Sequence, residues 1–168
     1  MLLKKLHRVW WISFLFFNLC IFFNQYVYAA CSGLGCSCSV ATTAVTFGNY
    51  NPISATATTA NGNVAVTCSA LVIFTASYVI SMAKGNSATY TPRFMNLSGV
   101  HLNYNLYTTA GFASIWGDGS GGTVTVSDSY TAIGLSETRN YTPFGQIPAL
   151  QVVGAGTYTD TVLVTVTY

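Results

Sequence analysis

Polar and apolar residues alternate with a period of two along most of the chain beyond residue 39, as expected for strands with one face buried and the other in solvent. Seven runs carry the pattern: 40–47, 63–69, 75–82, 101–108, 123–127, 141–147 and 158–168. Turn clusters separate them, among them Asn51-Pro52, Asn61-Gly62, Lys84-Gly85-Asn86, the glycine-rich stretch 117–122 and the pair Gly154 and Gly156. Short strands punctuated this way predict an all-β sandwich or barrel. The faces can be assigned. In the fourth run Leu102, Tyr104 and Leu106 share one side, and His101, Asn103, Asn105 and Tyr107 the other. In the last run Val162, Val164, Val166 and Tyr168 share a face, opposite Thr161, Leu163, Thr165 and Thr167. Half-buried antiparallel strands of this kind suit two stacked sheets. The last run is either the closing strand of an immunoglobulin-like sandwich or the strand before it.

The beginning of the chain breaks the pattern. Lys4, Lys5 and Arg8 precede a run, 9–23, that is apolar except for Ser13 and Asn18. A basic segment ahead of a short apolar stretch predicts a secretory signal. At about 15 residues it is shorter than the roughly 20 that a membrane span needs, so a stable membrane anchor is disfavoured. Val27 and Ala29 place the cut before Ala30, giving a signal peptide over 1–29 and one domain over 30–168. Cys31 then lies near the new N-terminus, but Tyr28 stands where a lipoprotein signal carries an aliphatic residue.

Cleavage changes the charge. Residues 30–168 retain Lys84, Arg93 and Arg139 against Asp118, Asp128, Glu137 and Asp160, a net charge of −1. A nearly uncharged surface cannot neutralise a row of phosphates, which argues against nucleic-acid binding. The many Val, Tyr, Phe and Thr residues argue against disorder. With so few charges to oppose association, the composition suits a protein that sits in an assembly.

Four cysteines remain, Cys31, Cys36, Cys38 and Cys68, and an even number in an exported chain predicts disulfides. Three pairings can form. Cys38 with Cys68 and Cys31 with Cys36 is favoured, because residues at i and i+2 rarely bridge across their own strand. The longer bridge closes about 30 residues and should contribute roughly 3 to 4 kcal/mol. A zinc site lacks a second close pair of ligands, and His101 is the one histidine after residue 29, so neither a metal nor any other cofactor is expected.

No catalytic constellation can be assembled. His101 is the sole candidate base for a nucleophile, and on the polar side of a strand it reads as a surface residue. Asp118, Asp128, Glu137 and Asp160 all fall in predicted turns, where Asp160 fixes the entry to the last strand. Residues 117–122 lack the lysine and the following helix of a phosphate-binding loop. With Ile115 and Trp116 before it, that stretch is a candidate exposed tip for surface contact, although a tryptophan there is more often core. Asn96-Leu97-Ser98 and Asn140-Tyr141-Thr142 match the glycosylation sequon and are taken as loops.

Several segments, in order, resemble a known family. Cys38-Ser39-Val40, Phe47-Gly48-Asn49-Tyr50 and 62–68 (GNVAVTC) resemble the opening of the spore coat protein U domain, the building block of archaic, Csu-type chaperone/usher pili. Gly85, Arg93-Phe94-Met95, 102–107 (LNYNLY), Trp116-Gly117, 144–148 (FGQIP) and the ending from Ala155 to Tyr168 continue the match. The resemblance implies an immunoglobulin-like β-sandwich that is incomplete, lacking its final strand. A periplasmic pilus chaperone, and after it another pilus subunit delivered at an outer-membrane usher, would supply that strand by β-strand addition. Val162, Val164, Val166 and Tyr168 would then border the groove. About four inserted apolar side chains would contribute on the order of 6 to 12 kcal/mol.

One departure bears on the place in a fibre. Only residues 30–37 precede Cys38, and 31–36 (CSGLGC) is short and poor in strand formers. A chain that accepts a strand and donates none would occupy a terminal or tip position, but the two-domain tip adhesins of the family are about twice as long, so a stalk or minor subunit stands equally open. The alternative is a self-contained secreted sandwich that binds carbohydrate or a surface as an adhesin.

Overall fold

The computed structural model of the protein describes residues 30–168. The predicted signal peptide over 1–29 lies outside the described residues. Eleven strands and no helix make up the described chain: β1 (Ala30–Ser32), β2 (Ser37–Thr43), β3 (Thr58–Asn61), β4 (Asn63–Ser69), β5 (Phe74–Met82), β6 (Arg93–Leu97), β7 (Val100–Tyr107), β8 (Val126–Ala132), β9 (Ser136–Tyr141), β10 (Phe144–Ile147) and β11 (Val164–Thr167). All pairings between them are antiparallel. The chain is an all-β sandwich.

In one layer β5 is central. β8 pairs along one of its edges, while β1 and β11 share the other. The facing strands form two ladders, β2-β4-β9 and β3-β10-β7-β6. The two join at a corner. There β3 runs into β4 through Gly62, β9 runs into β10 through Pro143, and Gly62 N donates to Pro143 O at 3.1 Å. A Cβ on Gly62 would lie 2.6 Å from Thr43 O, so the corner closes only around glycine.

The strongest period-two runs form the core. Val64, Val66 and Cys68 of β4 meet Phe74, Ala76, Tyr78, Ile80 and Met82 of β5, with Leu102, Tyr104 and Leu106 of β7 beside them. The predicted bounds hold closely for β4, β5 and β7. Elsewhere they shift. The run 40–47 enters a strand only as far as Thr43, in Ser37–Thr43, and the run 158–168 forms a ladder only over Val164–Thr167, with a single bridge from Thr159 to Asn96 ahead of it. The run 123–127 is displaced into Val126–Ala132, because Val124 bridges to Trp116 instead. β1, β3, β6 and β9 were not anticipated. β9 (SETRNY) is mostly exposed and held by its backbone ladder to β4, so it has no apolar alternation to betray it. Asp128 and Glu137 therefore lie in strands rather than turns, as do Asn96 and Asn140.

Asn105 departs from its assigned face. It is buried, and it holds the fully buried Arg93. Arg93 Nε and Nη2 donate to Ala83 O, Nη2 also to Trp116 O, and Nη1 to Asn105 Oδ1, all at 2.7–3.1 Å. The guanidinium lies 5.0 Å from the Tyr90 ring centre. Burial lowers its pKa from the ordinary value, yet a guanidinium keeps its proton in a protein, so carbonyl dipoles and a ring face replace its water. The group fastens the end of β5 to β6, β7 and the Trp116 segment.

Candidate functional site

Two strand edges face each other without a ladder between them. β2 pairs only with β4, and β11 only with β5, so each leaves one backbone edge unmatched among the described strands. Between them the sandwich opens into a groove of about 1010 Å³. Residues 42–50, which peel away from β4 once β2 ends, form one wall, and residues 153–162 with Val164 form the other. The floor is core: Val64, Met82, Leu102, Tyr104, Leu106 and Ile147 all line it. Phe47 leans into this space and meets the Tyr104 ring edge-on at 5.9 Å.

Asp160 supports the second wall. Its Oδ1 accepts from Asn86 N and Thr161 N, both at 2.8 Å, and its Oδ2 accepts from the Tyr104 hydroxyl at 2.7 Å. Burial, and then the adjacent carboxylate, push the Tyr104 pKa far above the usual phenol range. Gly85 packs directly on that carboxylate at φ 66°, in the left-handed region, and leaves no room for a Cβ. This triad ties the loop after β5 to the wall ahead of β11.

The residues expected to border a groove are divided. Val162 and Val164 line it. Val166 points the same way and packs against the core beyond the groove's end. Tyr168 is half exposed, and its hydroxyl donates to Cys38 O at 3.2 Å, across the gap between the two free edges. Beside it lie both disulfides. Cys31 is bonded to Cys36 and Cys38 to Cys68, with Cys38 and Cys68 directly opposite in the β2-β4 ladder. Cys31 Sγ and Cys38 Sγ, from different bridges, are 3.8 Å apart.

The candidate surface contact at Ile115 and Trp116 is corrected. Trp116 is 1% exposed, its indole N–H donates to Ile80 O at 3.0 Å, and Ile115 is half-buried. The bridges to Tyr107 and Val124 fold this segment against the sandwich instead of letting it project. Exposed apolar side chains gather elsewhere. Leu34, Leu71, Val72, Ile73, Ile133 and Leu135 stand on three loops at one end. Leu71 N donates to Leu34 O, and Ala70 N to Leu135 O, which joins the three loops. β5 runs from this end to the groove, about 27 Å away at the usual strand rise. Nothing in the period-two pattern marked these residues, because they follow or precede strand runs of the same composition.

Among the described residues no group of three or more His, Cys, Asp or Glu could hold a metal ion, and no helix is long and apolar enough to cross a membrane. His101 is exposed and stacks on Phe94 with centroids 3.7 Å apart. Glu137 is ion-paired with Arg139 on the exposed face of β9.

The described strands thus form an antiparallel sandwich whose core lies open between two unpaired strand edges. The Spore Coat Protein U domain model matches residues 27–165, and the chain belongs to that family. Among solved structures, one similar chain comes from the CsuC-CsuE chaperone-tip adhesion subunit pre-assembly complex of the archaic chaperone-usher Csu pili of Acinetobacter baumannii. The similarity covers 79% of this chain at 20% identity with a TM-score of 0.53, and the likeness is one of fold. This chain spans 40% of the length of that one. No curated protein matches the sequence.

Proposed function

We propose that the protein is an exported subunit of a chaperone-usher surface pilus, and that the groove between β2 and β11 accepts a strand from another chain. The observation that carries this is the open core between two unpaired edges. Backbone groups on both sides can pair with an extended segment, and apolar side chains on alternate positions can enter the space above Leu102 and Ile147. Family membership and the resemblance to a chain from a chaperone-subunit complex support it. A periplasmic chaperone is the first occupant, exchanged at an outer-membrane usher for a strand of the next subunit. Nothing in this role calls for catalysis.

A terminal position is favoured by two features. The segment ahead of β2 is already committed to the fold, since β1 pairs with β5 and is closed by the Cys31-Cys36 bridge. The apolar end at Leu71–Ile73, Ile133 and Leu135 lies across the molecule from the groove, where a tip would present it.

Expression of residues 30–168 in the periplasm, alone and beside the cognate chaperone, tests the assignment. The expected outcome is a stable one-to-one complex with the chaperone and aggregation without it. A soluble, cooperatively unfolding monomer that ignores the chaperone would instead support a self-contained adhesin.

A further inference from the structure

The groove is shorter than the strand edge that borders it. Along β5 the inward-facing positions opposite Met82, Ile80 and Ala76 are filled by Val164, Val166 and Cys31, in the registers of β11 and then β1. β1 runs in the same direction as β11 and continues its line after Tyr168, so two pieces from opposite ends of the chain make one interrupted edge. Of this row only Val164, with Val162 before it, opens onto the groove.

The interior beyond Val164 is already filled. Cys31 reaches inward from β1 and Cys38 from β2, and their sulfurs meet at 3.8 Å across the gap that a strand would otherwise enter. Cys68, fully buried, backs them from β4. Tyr168 closes the gap on the outside by donating to Cys38 O. The short connection 33–36, held by Cys36 N donating to Gly33 O, crosses from one layer to the other behind them.

We propose that the paired disulfides and Tyr168 form a stop that fixes how far an incoming strand inserts, and hence its register. This rests on the strand-acceptor assignment above and adds its length rule. Within the second wall the stretch that alternates half-buried and exposed runs from Tyr158 to Val164, and set against 42–50 it accepts about seven residues in extended conformation, roughly 23 Å. A strand that slid by one residue would turn its apolar side chains outward. A rigid end to the groove blocks a slide by two, which alternation alone permits.

The test uses synthetic peptides of alternating Val and Thr, 5, 7, 9 and 11 residues long with a terminal Lys for solubility. They are titrated against the complex of the oxidised 30–168 chain with its chaperone, and affinity is read from displacement of the chaperone. Affinity should rise from 5 to 7 residues and stay level, within twofold, from 7 to 11. In Tyr168→Ala, and more so in Tyr168→Ala combined with Cys31→Ala and Cys36→Ala, the 11-residue peptide should bind at least tenfold more tightly than the 7-residue one. Tyr168→Ala keeps both bridges, so it serves if the triple variant fails to fold. Affinity that keeps climbing with length in the unaltered chain, or a plateau at the same length in every variant, overturns the stop while leaving the acceptor groove intact. No binding at any length overturns both.

Discussion

The two edges of β5 are built differently. On one, β8 pairs continuously from Phe74 to Ile80, and a phenol network backs it: Tyr78 and Tyr141 share a hydrogen bond at 2.7 Å, and Tyr141 donates to Asp128. Tyr130 packs edge-on against Phe74 and Tyr78, and Arg139 lies 4.5 Å over its ring. On the other edge, two short strands from opposite ends of the chain meet at Tyr78, and beyond one of them the core is open. The first edge is finished by the chain's own residues. The second keeps an unpaired backbone edge and an open stretch of core, which in the proposed role another chain would cover.

The largest expected effect comes from the open edge. Val164→Asp puts a carboxylate into the groove and should weaken capture of the chaperone or a Val/Thr peptide by more than a hundredfold, since lost apolar burial and an unpaired buried charge add. Thr165→Asp, one residue on and facing outward, should change binding less than threefold. Equal losses in both, measured by co-purification and titration, would mean that β11 does not present alternate side chains to the groove.

Next comes the bridge that anchors β2. Removing both Cys38 and Cys68 as serines should lower stability by about 3 to 4 kcal/mol through the roughly 30-residue loop it closes, and removing Cys31 and Cys36 by about 2 kcal/mol. Urea unfolding of the chain complemented by a 7-residue Val/Thr peptide measures both. A larger loss from the shorter loop would show that β1 holds the open edge more firmly than β2 does.

On the finished edge, Tyr141→Phe takes a partner from Tyr78 and from Asp128 while keeping the ring, and should cost about 1 to 2 kcal/mol without affecting strand capture. The gentlest effect is one of pH. Burial raises the pKa of Tyr78, Tyr130 and Tyr141 above the ordinary 10, that of Tyr130 to about 12. Between pH 10 and 12 the unfolded chain has lost protons that the folded chain retains. Stability is therefore level below pH 10 and falls as pH rises toward 12. In Tyr130→Phe the alkaline decline should be shallower, as followed by thermal unfolding.

Much of this architecture was legible in the residues. In β4, β5 and β7 the alternation of Val64-Val66-Cys68, Phe74 to Met82 and Leu102-Tyr104-Leu106 is strict, because both the pleat and the buried face repeat every two residues. β9 escaped notice because its residues are mostly polar and face water, and the half-buried Tyr141 comes only at its end. Beside a glycine-rich loop Trp116 reads more often as core than as an exposed tip, and the structure buries it with its indole N–H on Ile80 O. Arg93 had the composition of a surface residue until Ala83, Asn105 and Trp116, far apart in the chain, converged to replace its water.

Composition and periodicity by themselves determined the all-β class, the buried faces of the main strands, the low charge and the supply of cysteines, because each follows from local sequence and solvent preference. Only the tertiary structure decided that β2 and β11 face each other unpaired, that the groove ends at Val164 and that both disulfides and Tyr168 meet there. Those features depend on contacts between residues more than a hundred positions apart, such as Cys38 with Tyr168, and no local pattern encodes which distant edge a strand will reach.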